Sequence, residues 1–594
     1  MYYGKPLRPL PRQRVTLSRF GGYDHRPAPA PGDWAFTENL SGDEYPLLSV
    51  RKPRGLVATL NAPRAIQHRG RLIWLDGKRL YYKGADLTSY LTAKGLHIGS
   101  DPRPRQILSL GAYVLLFPDK LYLNLERYED CGSLEQHYAS TGPVRYSLAR
   151  SDGTDCAQPM VSPTAPQSPA DGALWVDSSG LKHVLRQYSA AEQCWTELPS
   201  PCTRISAPGI GAGFRALDGV TIGGCQAPDS TEIHENLQSL TGLKCLVAAS
   251  QDSLIVPGLL DAAYTQTQGT VTVSRTVPDM DYLTQCGNRL WGCKYGLVGG
   301  KPVNEIYCCA LGDPKNWHSY AGLSTDSYAT SLGSDGPFTG AVSFQDSPLF
   351  FKETCLHRVY VSPVGAHRIV ESPCPGVEPG SAGSLTVVGG RLLYKSREGL
   401  QLYDGAVSRL VSPQLGRSVY HDAVAGARGS KYYVSMKDSG GRPQLFTLDT
   451  DTGLLFREDS PQVLGFCEAQ GELYFLDGET GQLLCVEGKQ GTPEPEPQWQ
   501  CISGPLEDGG PDKEYVSRFQ LRLYMPAGSH VEVLLAYDDE PVWHSAGRMD
   551  SPCDRTVLFP VRPRRCDHFR LQLRGRGSIR LHSLCLHRER GSEA

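Results

Sequence analysis

The sequence predicts an all-β protein: a β-propeller of about seven blades, interrupted by an inserted β-rich region and followed by a C-terminal β-sandwich. Three observations predict it. A hairpin pattern returns at intervals near forty residues, two proline-rich stretches interrupt that pattern, and the C-terminal region alternates apolar and polar residues with period two. A chain of 594 residues is beyond the size at which one hydrophobic core keeps growing, so several cores are expected. Its 64 glycines and 44 prolines suit many tight turns and disfavour long helices.

Each hairpin is a strand-like apolar run, a turn rich in Gly, Asp or Lys, and a second apolar run. GRLIWLDGKRLYYKG shows it at 70–84, with Asp76-Gly77 supplying the positive φ angles of a tight turn. GAYVLLFPDKLYLNL repeats it at 111–125 with Pro118-Asp119 at the bend, and GNRLWGCKYG at 287–296. Further copies are SPLFFKETCLHRVYV, GRLLYKSREGLQLYDG, SKYYVSMKDSGGRPQLFTLDT and GELYFLDGETGQLLCVEG. Corresponding positions at Arg71, Ala112, Asn288, Pro348, Arg391, Lys431 and Glu472 are spaced 41, 176, 60, 43, 40 and 41 residues apart. A period near forty is that of one four-stranded propeller blade, whose two apolar faces are buried only by stacked neighbours. The predicted propeller occupies 61–130 and 276–491, with an N-terminal arm and first strands at 1–60.

The interval of 176 exceeds one blade and places an inserted region at 131–275. Within it, the four prolines of CAQPMVSPTAPQSPA (156–170) read as a spacer, 172–200 holds a hairpin-like stretch around Trp175, Tyr188 and Trp195, and the alternation from Arg204 to Arg275 suits a small β-barrel. A second linker is expected at 492–498, where TPEPEPQ favours an extended, solvated chain. Beyond it, FQLRLYM, VEVLLAY, TVLFPV, FRLQLRG and SIRLHSLCL predict the sandwich at 499–594.

With 60 Lys plus Arg against 63 Asp plus Glu, no global field draws the molecule to nucleic acid or to an anionic membrane. MYYGKPLRPLPRQR has no apolar segment of the kind a secretory signal needs, and no run approaches about 18 apolar residues, so cytosolic synthesis, solubility and no membrane insertion are expected. The 18 cysteines contain no C-x-x-C pair, and adjacent Cys308 and Cys309 are poorly placed to bond to each other, so buried structural thiols are expected.

Catalytic signatures fail on inspection. No G-x-S-x-G elbow occurs, and His234-Glu235 lacks the second histidine of a helical zinc site. GLVGGKP (296–302) has Pro302 where a phosphate loop needs Ser or Thr, and GIGAGF (209–214) reads as a turn. DTDTG (449–453) departs from a calcium loop, with Gly453 one position early and Ser460 at the twelfth position. GSDGPF (333–338) only partly matches the S-x-D-x-G-x-x-W turns of sialidases. The expectation is therefore no catalytic site, no cofactor and no metal.

The strongest charge cluster is RPRRCDHFRLQLRGRGSIR, with Arg562, Arg564, Arg565, Arg570, Arg574, Arg576 and Arg580 interleaved with apolar residues. It predicts basic side chains on the outer face of a strand pair, hence a solvated face or a protein interface, with nucleic acid or an anionic glycan as the other ligands such a patch admits. Trp175, Trp195 and Trp543 are candidate glycan-stacking residues, each with an alternative role in a core.

Several separated stretches together resemble phage and prophage tail-associated propeller proteins, akin to nozzle or tail-stabilisation components of short-tailed phages. They are FGGYDHRPAPAPGDWAFTENLSGDEYPLLSVRKPR (20–54), ILSLGAYVLLFPDKLYLN (107–124), CGNRLWGC, ALGDPKNW, GSDGPFTGA, GVEPGSAGSL, GLQLYDG and RRCDHFRLQLRGRGSIRLHSL. The resemblance implies a virion structural protein of the tail, assembled as a homo-oligomeric ring with other tail or connector proteins, DNA being only passing cargo. Two other functions stay open: a host-surface glycan-binding adhesin on a propeller scaffold, and a propeller-fold glycan hydrolase.

Overall fold

The computed structural model describes residues 12–69, 71–101, 103–226, 240–506, 514–538, 540–562 and 564–590, and within them the chain is all-β apart from a few single turns of helix. His234 and Glu235 lie outside the described residues. No described helix is long and apolar enough to cross a membrane.

Six four-stranded antiparallel meanders follow one another at 63–86, 106–133, 282–331, 338–373, 386–410 and 420–457. A seventh sheet holds Val463–Ala469, Glu472–Asp477 and Gln482–Cys485, and its next strand is Gly55–Thr59, from upstream of the first meander, paired from Gln482↔Thr59 to Cys485↔Gly55. The first strands of neighbouring meanders, with the turn Ala382–Ser384 between the fourth and fifth, pack in cyclic order until Val463–Ala469 meets Pro63–Arg69. These contacts are close. A Cβ added at Gly426 in the sixth meander would lie 2.4 Å from the Cβ of Phe466 in the seventh, so only glycine fits.

An apolar cluster fills each space between neighbours. Val114 and Leu116 face the first meander, while Leu115 and Phe117 on the same strand face the third. Leu473 and Phe475 likewise face the sixth meander, and Tyr474 and Leu476 pack with Ile66 and Trp74 of the first. This two-sided burial explains why the hairpins read as continuous apolar runs: each face has a neighbour, and a fully buried Leu or Phe contributes roughly 1.5–3 kcal/mol. The hairpin positions picked out by spacing fall at or beside the start of the second strand of each sheet. At 296–302 the structure forms a two-residue turn, Gly299 and Gly300 having φ of +56° and +79° between paired Val298 and Lys301.

Between the second and third meanders lies a separate β-module. Gln136–Ala139, Thr272–Arg275, Gly219–Gly223 and Gly242–Cys245 form one sheet; Ala248–Ser250, Ser253–Pro257, Cys202–Ser206, Val144–Ala149 and Tyr264–Gln266 form another, and the two share a core around Tyr146, Ile205, Val220 and Val256. The alternating run from Arg204 is thus completed by two earlier strands. Cys131–Ser133, expected in the insertion, is the last strand of the second meander. The proline-rich stretch is not a free spacer, since Met160–Ser162 pairs in parallel with Trp175–Asp177 in a third small sheet. The module docks on the third meander: Asn316 accepts from Gly219 N–H (3.0 Å) and donates to Leu217 O (2.7 Å). Residues 309–327, which hold this dock, account for the 60-residue interval in the repeat.

The C-terminal sandwich has two sheets and corrects the expected N-terminal arm. Arg12–Leu17 pairs with Arg580–Arg590, Leu48–Val50 pairs with the other end of that same strand, and Trp34–Glu38 pairs with Gln498–Ser503 in the opposite sheet. The strands within residues 12–50 therefore belong to the last unit, with Trp34, Leu40 and Leu48 in a core beside Phe519, Leu571 and Leu584. Partners more than four hundred and fifty residues apart leave no local mark in the sequence.

Candidate functional site

The segment 39–54 crosses from sandwich to meanders, and its polar residues meet in a buried ionic joint. Asn39, with φ of +56°, donates from Nδ2 to Gln498 O (2.7 Å) and accepts from Arg51 Nε (2.7 Å). Arg54 is 3% exposed and reaches Glu458 at 2.8 Å and both oxygens of Asp459 at 2.6 and 2.7 Å, with its guanidinium over the Phe475 ring. Arg51 pairs with Glu494 and lies 3.9 Å from Glu458 and 3.7 Å from Asp459. Glu494 also accepts from the Arg54 backbone N–H (2.8 Å), and Glu458 accepts from the Thr447 hydroxyl (2.6 Å). Burial opposes charge here, yet the contacts more than reverse it: Arg54 is raised by Asp459 and Glu458, and Asp459 is held below the usual carboxylate range by Arg54.

This joint corrects the linker expected at 492–498. Thr492–Pro493 pairs with Leu56 and Gly55, Glu494 is consumed by two arginines, and Gln498 begins a sandwich strand. Sequence reasoning missed the joint because alternating Pro and Glu carries the same composition whether solvated or paired.

The seven arginines do not form one surface. Phe569–Arg576 and Arg580–Arg590 lie in opposite sheets and are not a strand pair. Arg570, Arg574 and Arg576 alternate with the inward Leu571 and Leu573 on one sheet; Arg580, on the other, pairs with Glu44 at 2.7 Å. Arg574 pairs with Glu532 (2.8 Å), Arg570 stands over Trp543, and Arg564 pairs with Glu540 and stands over Tyr537. Arg565 is exposed and engaged. Arg562 and Arg576 are exposed with no ion-pair partner among the described residues. The tryptophans also stand apart. Trp175 is buried, donates to Ser162 O (2.9 Å) and packs edge-on to Trp195, which also meets Tyr188, while half-buried Trp543 is covered by Arg570.

One further cluster lies between the third and fourth meanders. The ligand atoms of Cys355, His357 and Glu371 lie within 4.8 Å of one another. Ser334 Oγ and Glu371 Oε2 both contact His357 Nε2, at 2.9 and 3.3 Å, whereas a proton relay needs its acid and its hydroxyl on opposite ring nitrogens. Buried Lys352 donates to Asn304 (3.0 Å) and Ser334 O (2.7 Å) beside them, and its ammonium group opposes a divalent cation in the same space. Burial lowers the pKa of both Lys352 and His357 and raises that of Cys355. The arrangement is a hydrogen-bonded polar plug in an otherwise apolar seam.

No disulfide joins the 18 cysteines among the described residues, and 13 of them are buried. The DTDTG segment forms a turn in which Gly453 N–H donates to Asp449 O (2.8 Å) and Asp451 N–H to the Asp449 carboxylate (3.0 Å).

No family model and no curated protein matches the chain. Among solved structures it is similar to an exo-β-1,3-galactanase of Phanerochaete chrysosporium with galactose, at 8% identity and TM-score 0.21 over 51% of this chain and 94% of that one. It is also similar to the extracellular domain of a one-component system of B. thetaiotaomicron (7%, TM-score 0.18, 92% and 95%) and to a Cry1Da tryptic core variant of Bacillus thuringiensis (10%, TM-score 0.13, 42% and 50%). At these values neither fold nor activity passes to this chain.

Proposed function

We propose that the seven sheets close as a seven-bladed β-propeller, and that the chain is a structural component of a bacteriophage tail. In this reading it is a nozzle, tail-tube extension or head–tail stabilisation subunit that works through protein–protein assembly, without catalytic turnover. The observation that carries it is the ionic joint. The segment 20–54 is one of the stretches that resemble the tail-associated proteins, and it supplies Arg51 and Arg54 and leads into the strand that completes the seventh sheet. The joint ties the strands that enter and leave the sandwich to the sixth and seventh sheets, which suits a subunit that carries load between neighbours. Copies around an axis would make repeated head-to-tail contacts that close into a ring where their rotation permits. The exposed Arg562 and Arg576 are suited to bidentate pairing with acidic groups on the next copy.

The test is to image purified particles carrying a labelled copy, alongside mass photometry of the purified chain and a screen for glycan hydrolysis. The expected result is label at the tail, a ring-sized species at high protein concentration, and no turnover. Absence from particles together with reproducible hydrolysis would replace the structural reading with the hydrolase.

A further inference from the structure

A cleft of about 560 Å³ opens between the N-terminal segment and the connecting loops of the sixth meander. The geometry points to a binding site for an anionic saccharide in this cleft, a function independent of any place in a tail. Its charge is lopsided: Arg417, Arg442 and Arg457 line it against the single carboxylate of Asp438.

That carboxylate is already committed to its own turn. It accepts from the backbone N–H groups of Gly440 (2.9 Å) and Arg442 (3.0 Å) and from the Gln444 amide (3.1 Å), and those backbone bonds help hold its pKa below the usual range. Its contact with Arg442 is 3.3 Å long on a side chain 82% exposed, which solvent screens strongly. Arg417 is exposed and has no ion-pair partner among the described residues. Arg457 is fixed in place: it lies over Phe36 at 4.7 Å and donates to Gln444 (3.2 Å) and Ser460 (3.3 Å). One preorganised guanidinium and two exposed ones around an open space suit a carboxylate or phosphate group.

Size and lining select among anions. The volume falls within the range of about 300–1,000 Å³ typical of small-molecule sites, and an inorganic ion would leave most of it empty. Ser418, Ser439 and Gln444 offer hydroxyl and amide groups, while Val419 and the stacked Tyr23–His25 pair offer apolar surface, a mixture matched to a hydroxylated ring. The wall is held to the meander, since His25 N–H donates to Gln414 O (2.8 Å). A nucleic acid would need a basic field reaching beyond the cleft, whereas the chain carries a formal net charge of −3.

Calorimetry on the full chain with digalacturonate, glucose 1-phosphate, cellobiose, a hexa-aspartate peptide and an oligothymidylate tests the site. The first two separate a carboxylate from a phosphate as the recognised group. The expected result is saturable binding of at least one anionic sugar, at least tenfold weaker binding of cellobiose, and at least tenfold loss in Arg417→Ala/Arg442→Ala with an unchanged melting temperature. Both replaced side chains are exposed, so the variant is expected to fold; Arg442→Lys alone should keep most of the affinity. No saturable binding of either charged sugar, or equal affinity in the double variant, overturns the proposal. Tighter binding of the peptide or the oligonucleotide than of either sugar, lost in the same variant, also overturns it and makes the cleft a protein or nucleic-acid site.

Discussion

Replacing Arg54 by alanine is expected to destabilise the protein by about 3 kcal/mol, and the structure sets that figure. Arg54 makes three charge-assisted bonds of 2.6–2.8 Å to Glu458 and Asp459 and covers Phe475. Removing one side of a buried ion pair costs about 3–5 kcal/mol, because the remaining charge stays buried without its counterion. Two features place this case at the low end. Arg51 stays within 4 Å of both carboxylates, and Asp459 is 28% exposed, so water relieves part of its charge. About 3 kcal/mol is a roughly hundredfold rise in the open fraction. The assay is urea unfolding combined with hydrogen exchange on residues 55–59 and 492–503, the strands the joint holds. Arg54→Met with Glu458→Gln and Asp459→Asn removes the charges together and is expected to recover much of the loss, since neutral replacement of a buried network is often tolerated. The pH dependence has a definite sign. Asp459 has a depressed pKa, so its contribution is present above the unfolded value near 3.9 and is lost as pH falls through the folded one. The Arg54→Ala penalty should therefore shrink below about pH 4. A change under about 0.5 kcal/mol in Arg54→Ala, or a triple variant no more stable than the single one, would refute the reasoning.

Gly219→Ala should loosen the inserted module by about 1–3 kcal/mol, because the new Cβ would lie 2.0 Å from the carbonyl oxygen of His318; faster exchange confined to 217–219 and 316–319 is the readout. Excision of 136–275 with a short Gly/Ser joint should leave a cooperatively folding remainder, since Gln136 and Arg275 are paired neighbours; a broad, non-cooperative melt would show that the meanders depend on the module. Mild proteolysis should spare 492–498, whose backbone and Glu494 are bonded; early cleavage there would count against the joint. Stability should fall as pH drops from 7 to 5.5. His318, His357 and His367 have pKa values lowered by burial, so the unfolded chain takes up more protons below its value near 6.5; a flat profile would remove them as a source of acid sensitivity.

What the sequence made legible follows from the range of the interactions. The second and third strands of each meander were visible because both faces are buried and the turn between them is short, so signals such as Asp76-Gly77 and the runs YVLLF and LYFL are complete within a few residues. The first and last strands, half-buried and alternating less cleanly, were found only by their spacing. The expected basic face dissolved into separate partnerships because Arg570, Arg574 and Arg580 meet Trp543, Glu532 and Glu44, residues that no local pattern connects to them.

The joint was illegible for a stronger reason. Its residues look solvent-seeking one at a time: Arg51 and Arg54 flank a lysine and a proline, Glu458 and Asp459 sit in a charged turn, and Glu494 stands between prolines. Their burial is a property of the set, because each charge is tolerated only where the others neutralise it. Composition therefore assigned to an exposed linker the segment 492–498, whose Glu494 belongs to the joint. The same logic separates the cleft at the sixth meander from the joint. In the joint the guanidinium groups meet carboxylates from two chain segments, 458–459 and 494, whereas Arg417 and Arg442 face open space with one carboxylate already held by its own backbone turn. Arginines in excess of their local acids, placed around a cavity, are the residues left to meet something outside the chain.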